Sequence, residues 1–521
     1  MKMIYNVKDK PKFGQLIVFA FQQLLAIMAA TIAVPMIVGN GMSTSAALFG
    51  AGVGTLVYVA FTKAKSPVFL GSSFAFLGSM AAAFAGGVSV GLGYLGLIIG
   101  AALAGLVYVV IALIVKGAGV KWINKIMPAV VIGPIVAIIG LSLAGNAIGD
   151  LTNVNYTKDV DMSTVQVRTI DSVNPDGSIG TMNVALDKDG NVDPSITVTA
   201  TEDGGFTGTT QPGSPYVALI CGLVTLATVM LCSVYGKKMA KLIPFIIGIL
   251  AGYACATIFY FIGKWTGNPS LMVIQYTAFT SLFKSVDFNT FIALPDFTFL
   301  KAFGSFGELS GSYIGTIAVA YIPVAFVVFA EHIADHKNLS SIIEHDLLED
   351  PGLDRTLLGD GIGSMVGAIF GGCPNTTYGE SIGCVAITKN ASVASIAVAA
   401  CEAILISFVA PFVAFLSTIP SCVMGGVCVA LYGFIAVSGL KMLQKVNLDD
   451  NRNLFTASVI LISGVGSLTL SFVIGGDVIT VTTVACALIL GILTNVMLSK
   501  GKAPEAVEEA PAKAKKKSKK K

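Results

Sequence analysis

Fourteen apolar segments follow one another along this 521-residue chain, at 15–38, 45–62, 67–86, 91–115, 127–148, 214–234, 242–263, 310–331, 357–371, 378–388, 391–417, 420–440, 453–473 and 477–499. A transmembrane helix needs about 20 predominantly apolar residues, so a series this regular points to a polytopic, all-α membrane protein. Composition agrees: 54% of residues are hydrophobic and 12% charged, against ~25% charged in an average soluble domain. The 57 glycines suit helices that pack closely in lipid. The run Gln15–Val38 is longer than the apolar part of a cleavable signal peptide and reads as the first span. With 33 basic and 30 acidic residues, the charge balance argues against a nucleic-acid partner. Nine cysteines lie in or beside apolar segments without CxxC spacing. They read as small buried apolar residues, not as a disulfide framework or a zinc site.

Basic residues test the count. If the N-terminus (Lys2, Lys8, Lys10, Lys12) is inside, every even-numbered crossing should return to a positive loop. Lys63 and Lys65, Lys116, Lys121 and Lys125, Lys237, Lys238 and Lys241, Lys337, Lys389, and Lys441, Lys445 and Arg452 fall where this requires. Fourteen spans with both termini cytoplasmic follow. The Lys-rich tail 500–521 reads as a solvated segment attracted to anionic inner-leaflet lipid.

Residues 149–213 form a long polar loop placed outside. Alternating runs at 164–169, 180–186 and 195–201 are separated by Asn174-Pro175-Asp176-Gly177 and Asp187-Lys188-Asp189-Gly190, a hairpin signature that predicts a small β-rich extracellular insertion. Asp187, Asp189, Asn191 and Asp193 resemble a calcium loop, but its glycine is misplaced and Val198 stands where a bidentate Glu is needed; a plain turn is the reading.

The third and tenth segments are interrupted and alike. Gly71-Ser72-Ser73-Phe74-Ala75-Phe76 parallels Asn375-Thr376-Thr377-Tyr378-Gly379-Glu380. They lie seven spans apart, an odd number, so the halves run oppositely through the membrane as a 7+7 inverted repeat. Spans 3 and 10 are each expected to be extended backbone leading into a half-helix, with free N–H groups and positive dipole ends facing a ligand.

Acidic residues inside spans are functional by default, because insertion costs roughly 3 kcal/mol each. Glu331 and Glu380 are the candidates; Glu402, with no motif around it, reads as structural. Asp335 lies one turn beyond Glu331 on the same helical face. Two carboxylates in a desolvated place cannot both ionise cheaply, so one should keep a proton near neutral pH, the minimum part of a proton-coupled carrier. His332 and His336 share a face and raise a metal site, but HExxH is absent and spacing forces no third ligand.

Pro374-Asn375-Thr376-Thr377-Tyr378-Gly379-Glu380-Ser381-Ile382-Gly383, followed by Ala386-Ile387-Thr388, resembles the signature of the nucleobase–ascorbate (nucleobase–cation symporter) transporters, within them the uracil permease branch. Segments 69–76, 330–332, 346–353, 420–427 and 431–433 add to the likeness in the family's order. The resemblance implies a core domain of spans 1–4 and 8–11 (13–117 and 309–418) and a gate domain of spans 5–7 and 12–14 (118–265, including the insertion, and 419–499). It also implies short strands in spans 3 and 10, and a homodimer joined through the gate domains.

Carried over by residue, Glu331 and Glu380 would hold the base, N–H groups of Phe74 and Gly379 would meet its carbonyls, and Tyr378 would line the site. Gln22, Gln23, Ser73, Thr377 and Tyr432 would stand behind them. Glu331 and Asp335 would carry coupling. Two departures matter: Asp335 stands where many relatives carry His, and Gln23 replaces a His common in the first span. The resulting expectation is a proton-coupled uracil importer of the cell membrane, with no cofactor and sodium as the alternative coupling ion. Its rivals are a purine (xanthine or urate) symporter, against which Thr377 occupies a position glycine fills in purine-type signatures, an anion transporter of the same architecture, and a metal hydrolase built on His332, Asp335 and His336.

Overall fold

The computed structural model describes residues 3–119, 128–173, 179–186, 191–200, 206–237, 239–444, 446–474 and 477–498. Eight described helices are long and apolar enough to cross a membrane: Phe13–Val38, Thr44–Phe61, Val90–Ala118, Ala129–Leu151, Pro215–Tyr235, Pro244–Thr266, Gly311–Ile343 and Ser421–Leu443. Phe74–Ala83, Val393–Ile406 and Thr483–Leu498 are apolar but shorter. Leu353–Gly371 has the length but carries Asp354, Arg355 and Asp360. Large apolar side chains such as Leu231, Ile258, Phe261 and Trp265 stay exposed on the outer helices, as lipid-facing surfaces require.

The two interrupted segments meet at the centre of the fold. Strand Leu70–Ser72 pairs antiparallel with strand Asn375–Thr377, Leu70 opposite Thr377 and Ser72 opposite Asn375. Each strand leads into a short helix, Phe74–Ala83 and Gly379–Thr388. Non-helical backbone inside a membrane protein must find partners in the protein itself, and hydroxyls supply them. Leu70 N–H donates to Thr55 Oγ1 at 2.9 Å, Phe69 N–H to Ser381 Oγ at 3.0 Å, and Asn375 N–H to Ser364 Oγ at 2.9 Å. Gly71 is required at the crossing, because the Tyr378 ring occupies the space a Cβ would need. The likeness read from sequence is one residue out: the residues before the short helices are Ser73 and Tyr378, so Phe74 corresponds to Gly379, not to Tyr378.

The long loop folds as an antiparallel five-stranded sheet built from Lys158–Val160, Gln166–Val173, Ile179–Leu186, Val192–Ala200 and Phe206–Thr210. The turns at 174–177 and 187–190, the basic residues Lys121, Lys125, Lys238 and Lys445, and the tail 500–521 lie outside the described residues. One correction concerns the thirteenth and fourteenth segments. Helix Asn451–Val465 stops early, and Leu470–Ile474 pairs with Asp477–Val481 as a hairpin before helix Thr483–Leu498. Runs of β-branched residues, Val473-Ile474 and Val478-Ile479-Thr480-Val481, on both sides of a Gly-Gly pair carry that signal in the sequence. All nine cysteines are free, but Cys401 is exposed and Cys232 and Cys255 only half-buried.

Candidate functional site

The strand crossing fixes where the two short helices begin. Four of the long apolar helices carry a side-chain cap: Ser43 accepts from Ala46 N–H, Ser89 from Leu92, Ser214 from Tyr216 and Ser310 from Tyr313; Phe13–Val38, Pro244–Thr266 and Ser421–Leu443 carry none. Phe74–Phe76 and Gly379–Thr388 have no side-chain cap. The first turn of a helix leaves N–H groups without intrahelical partners, at the positive end of the helix dipole. Gly379 is exposed, and a Cβ there would meet nothing within 4 Å. The second half-helix therefore opens on free space at Gly379.

Carboxylates surround this opening. Glu380 occupies the first turn of its half-helix, where a negative charge suits the dipole. Glu331 and Asp335 come from helix Gly311–Ile343 and are half-buried. Glu331 has Asp335, Glu380 and Asp360 as charged neighbours. Thr377 Oγ1 donates to Asp335 Oδ2 at 2.8 Å, tying the carboxylate to the strand that precedes Glu380. Glu402 is apart, on helix Val393–Ile406, with its buried Oε2 unpartnered.

The remaining expected residues divide. Gln23 is buried, and its amide donates to Ser381 Oγ and, at 3.2 Å, to Ser381 C=O; it anchors the half-helix after Glu380. Gln22 turns to Met239 Sδ at 3.2 Å and is not brought to the carboxylates. The Tyr378 hydroxyl donates to Ser72 C=O at 2.6 Å, so it serves the strand crossing. Phe74 meets Tyr432 of helix Ser421–Leu443 edge-on, ring centroids 5.9 Å apart. The buried hydroxyls of Ser73 and Tyr432 have no hydrogen-bond partner. A cavity of about 370 Å³ starts at Phe74 and runs past Gly78 and Ala82 between Ile139 and Thr482. Neither glutamate lies in its wall.

The structure adds residues that the sequence reading passed over. Asp360 lies within the ninth apolar segment, flanked by Gly359 and Gly361, and is buried against His332. His332 and His336 stack at 4.0 Å between centroids. Their ring nitrogens meet Asp360, Thr356, the His332 carbonyl and the Tyr58 hydroxyl at 2.7–3.0 Å, which leaves the two histidines held within the protein. A charge inside an apolar segment was the available signal for Asp360; Tyr58 and Tyr108 carried none.

Residues 14–171 and 208–472 match the family model described as Permease family, and the interval between them falls inside the sheet insertion. The uracil permease of Bacillus caldolyticus is 35% identical over 500 residues, covering 95% of each chain. That of Bacillus subtilis (strain 168) is 34% identical over 507 residues, 97% of each. Among solved structures, the transmembrane domain of the cyanobacterium bicarbonate transporter BicA superposes with a TM-score of 0.54 at 14% identity, covering 95% of this chain and all of that one. Murine Slc26a9, an anion transporter in the inward-facing state, gives 0.54 at 11% identity over 94% of this chain and 69% of that one. These last two likenesses concern the fold alone. The protein belongs to the Permease family and is a multi-pass membrane transporter, not an enzyme.

Proposed function

We propose that the chain is a proton-coupled uracil importer working by alternating access. What supports this reading is the pair of uncapped half-helix N-termini at Phe74 and Gly379, brought together by the strand crossing, with Glu380 in the first turn of the second and Glu331 beside Glu380. Uracil offers two N–H donors and two carbonyl acceptors; the site offers two carboxylates and two sets of backbone donors. A base lacking one of these groups leaves a buried polar partner unmatched, at roughly 1–3 kcal/mol. The names of the relatives, uracil permeases in Bacillus caldolyticus and Bacillus subtilis, support the same substrate.

In this reading fourteen spans form two inverted repeats, with both termini cytoplasmic. The core (13–117, 309–418) carries the strand crossing and moves against the gate (118–265, 419–499). The contact of Phe74 with Tyr432 crosses that boundary, and the cavity beside Phe74 is the outward approach. Protonation of Glu331 or Asp335 accompanies the movement, and the gate domains join two copies.

A rival reading is an anion transporter of the same architecture, transporting a small anion. Three carboxylates at the site oppose it, since a cleft lined by one sign of charge repels a ligand of that sign. The test is labelled uracil uptake into proteoliposomes, with and without an inward proton gradient. Stimulated uptake, competed by uracil and not by xanthine or bicarbonate, is expected. Failure to accumulate uracil under either condition sinks the substrate assignment.

A further inference from the structure

Behind the crossed strands lies a second polar cluster for which substrate binding has no use. His332 Nδ1 is 2.7 Å from Asp360 Oδ2, and His332 Nε2 is 3.0 Å from Thr356 Oγ1. His332 is 0% exposed and Asp360 1%. The other carboxylate oxygen, Asp360 Oδ1, is buried without a hydrogen-bond partner, and so is the Tyr108 hydroxyl. Asp360 and Tyr108 line one small cavity of about 10 Å³, walled also by Phe76, Gly105, Ser364 and Asn375. A cavity of ~10–15 Å³ holds one water when two to four polar groups are within reach. Asp360 Oδ1 and the Tyr108 hydroxyl meet that condition, and Ser364, which accepts from Asn375 N–H at 2.9 Å, has its own hydroxyl hydrogen to give.

We propose that Asp360, with one water held between it and Tyr108, is a proton-carrying site of the transport cycle, separate from the carboxylates that face the substrate. The proposal rests on the proton-coupled reading above. When Thr356 gives its one hydroxyl hydrogen to His332 Nε2 rather than to the Leu353 carbonyl at 3.1 Å, His332 carries its own hydrogen on Nδ1 and donates to Asp360 Oδ2, which leaves Oδ1 as the place for a proton. Loading forms an O–H bond at Oδ1, the proton coming from a hydronium that becomes the resident water. Unloading breaks that bond and returns the proton to water.

The titratable groups facing Asp360 are Tyr108 of helix Val90–Ala118, Tyr58 of helix Thr44–Phe61, and Glu331, His332 and Asp335 of helix Gly311–Ile343, with His336 stacked on His332. Ionised Asp360 repels Glu331 and Asp335; protonated Asp360 does not. Neutralising it therefore relieves charge at the substrate site. The cavity also reaches that site mechanically, because its wall residue Asn375 opens the strand whose last residue, Thr377, holds Asp335.

The test uses Asp360→Asn in proteoliposomes with two assays. One is net uracil uptake driven by a proton gradient; the other is exchange of external labelled uracil for internal unlabelled uracil without a gradient. Losing a proton-transfer group should lower net uptake about 100-fold and flatten its pH profile, while exchange and uracil affinity stay near those of the unaltered protein. Gradient-driven uptake with an unchanged pH profile overturns the proposal. If the unaltered protein exchanges uracil but ignores the gradient, the coupling reading falls and takes this proposal with it. Should Asp360→Asn fail to insert, Tyr108→Phe keeps the shape and removes one water partner. Several-fold slower net uptake with exchange retained is then expected, and undiminished net uptake overturns the proposal.

Discussion

Thr377 and Asp335 are joined across the core: the threonine hydroxyl donates to Asp335 Oδ2 at 2.8 Å. Helix Gly311–Ile343 is thereby tied to the strand that leads into the second half-helix. An ionised Asp335 accepts this bond; a protonated one becomes a donor itself and no longer needs the threonine hydrogen. A change of protonation is therefore felt one residue before Tyr378 and three before Glu380.

Asp335→Asn fixes that carboxyl position in a state that cannot titrate. Uptake by the unaltered protein should rise as the external pH falls from neutral into the acid range, because protonation loads the carrier. The asparagine variant should lose most of that rise while binding uracil with similar affinity. Uptake measured across this range, beside equilibrium binding, decides the matter. A pH profile matching the unaltered protein would remove Asp335 from coupling.

Binding itself should depend on both kinds of group at the half-helix start. Glu380→Gln removes a charged acceptor, and hydrogen bonds to charged groups contribute about 1.5–3 kcal/mol, so Kd should rise ~10–100-fold or more. Gly379→Pro removes one backbone donor without disturbing the helix. Proline is tolerated at the first helical position, and Tyr378 before it already has φ −108° and ψ 126°, the extended backbone that proline demands of its predecessor. A loss of about 1–3 kcal/mol is expected for uracil, read by calorimetry on monodisperse protein. Unchanged affinity in the proline variant would take the backbone donor out of the site.

How much of this was legible follows from what each element needs locally. The broken spans could be read because clusters of glycine and hydroxyl residues interrupt apolar runs, and the structure uses those hydroxyls, Thr55, Ser364 and Ser381, as backbone partners. The hairpin Leu470–Val481 was absorbed into two helices, because β-branched apolar residues look alike in a strand and a span when hydropathy alone is counted. Asp360 was missed although its charge stood in plain view among glycines. Its chemistry depends on His332 and Tyr108, which only the packing of three helices brings together. Tyr378 is expected to line the site; that its hydroxyl donates to Ser72 was not legible, because the pairing requires the antiparallel register to be known.

That register makes two substitutions informative as a pair. Tyr378→Phe removes one cross-strand hydrogen bond but keeps the ring, so a stability loss of about 1 kcal/mol is expected with transport retained. Gly71→Ala places a methyl group where the ring sits. Overpacking of this kind costs about 1–3 kcal/mol or more and shifts both half-helices together, so uptake should fall far more than in Tyr378→Phe. Thermal unfolding in detergent and uptake in proteoliposomes give the two readouts. A transport defect as deep in Tyr378→Phe would return its hydroxyl to the substrate.

The sheet insertion can be removed along lines the structure sets. Excising 152–212 would cut real ties: Asn155 accepts from Ser421 N–H at 2.6 Å and donates to Ser421 Oγ at 3.2 Å, and Thr157 N–H donates to Gln275. Ser421 opens helix Ser421–Leu443, which carries Tyr432, so that deletion should disturb the face of the helix that meets Phe74. Lys158 and Thr210, however, are directly opposed in neighbouring strands. Replacing 159–209 by Asn-Gly closes them with a two-residue turn suited to an antiparallel pair, and every contact of Asn155 and Thr157 is kept. This variant should transport uracil at close to the full rate, whereas the longer excision should be slower or less stable. Equal and severe loss in both would mean that the sheet itself takes part in transport.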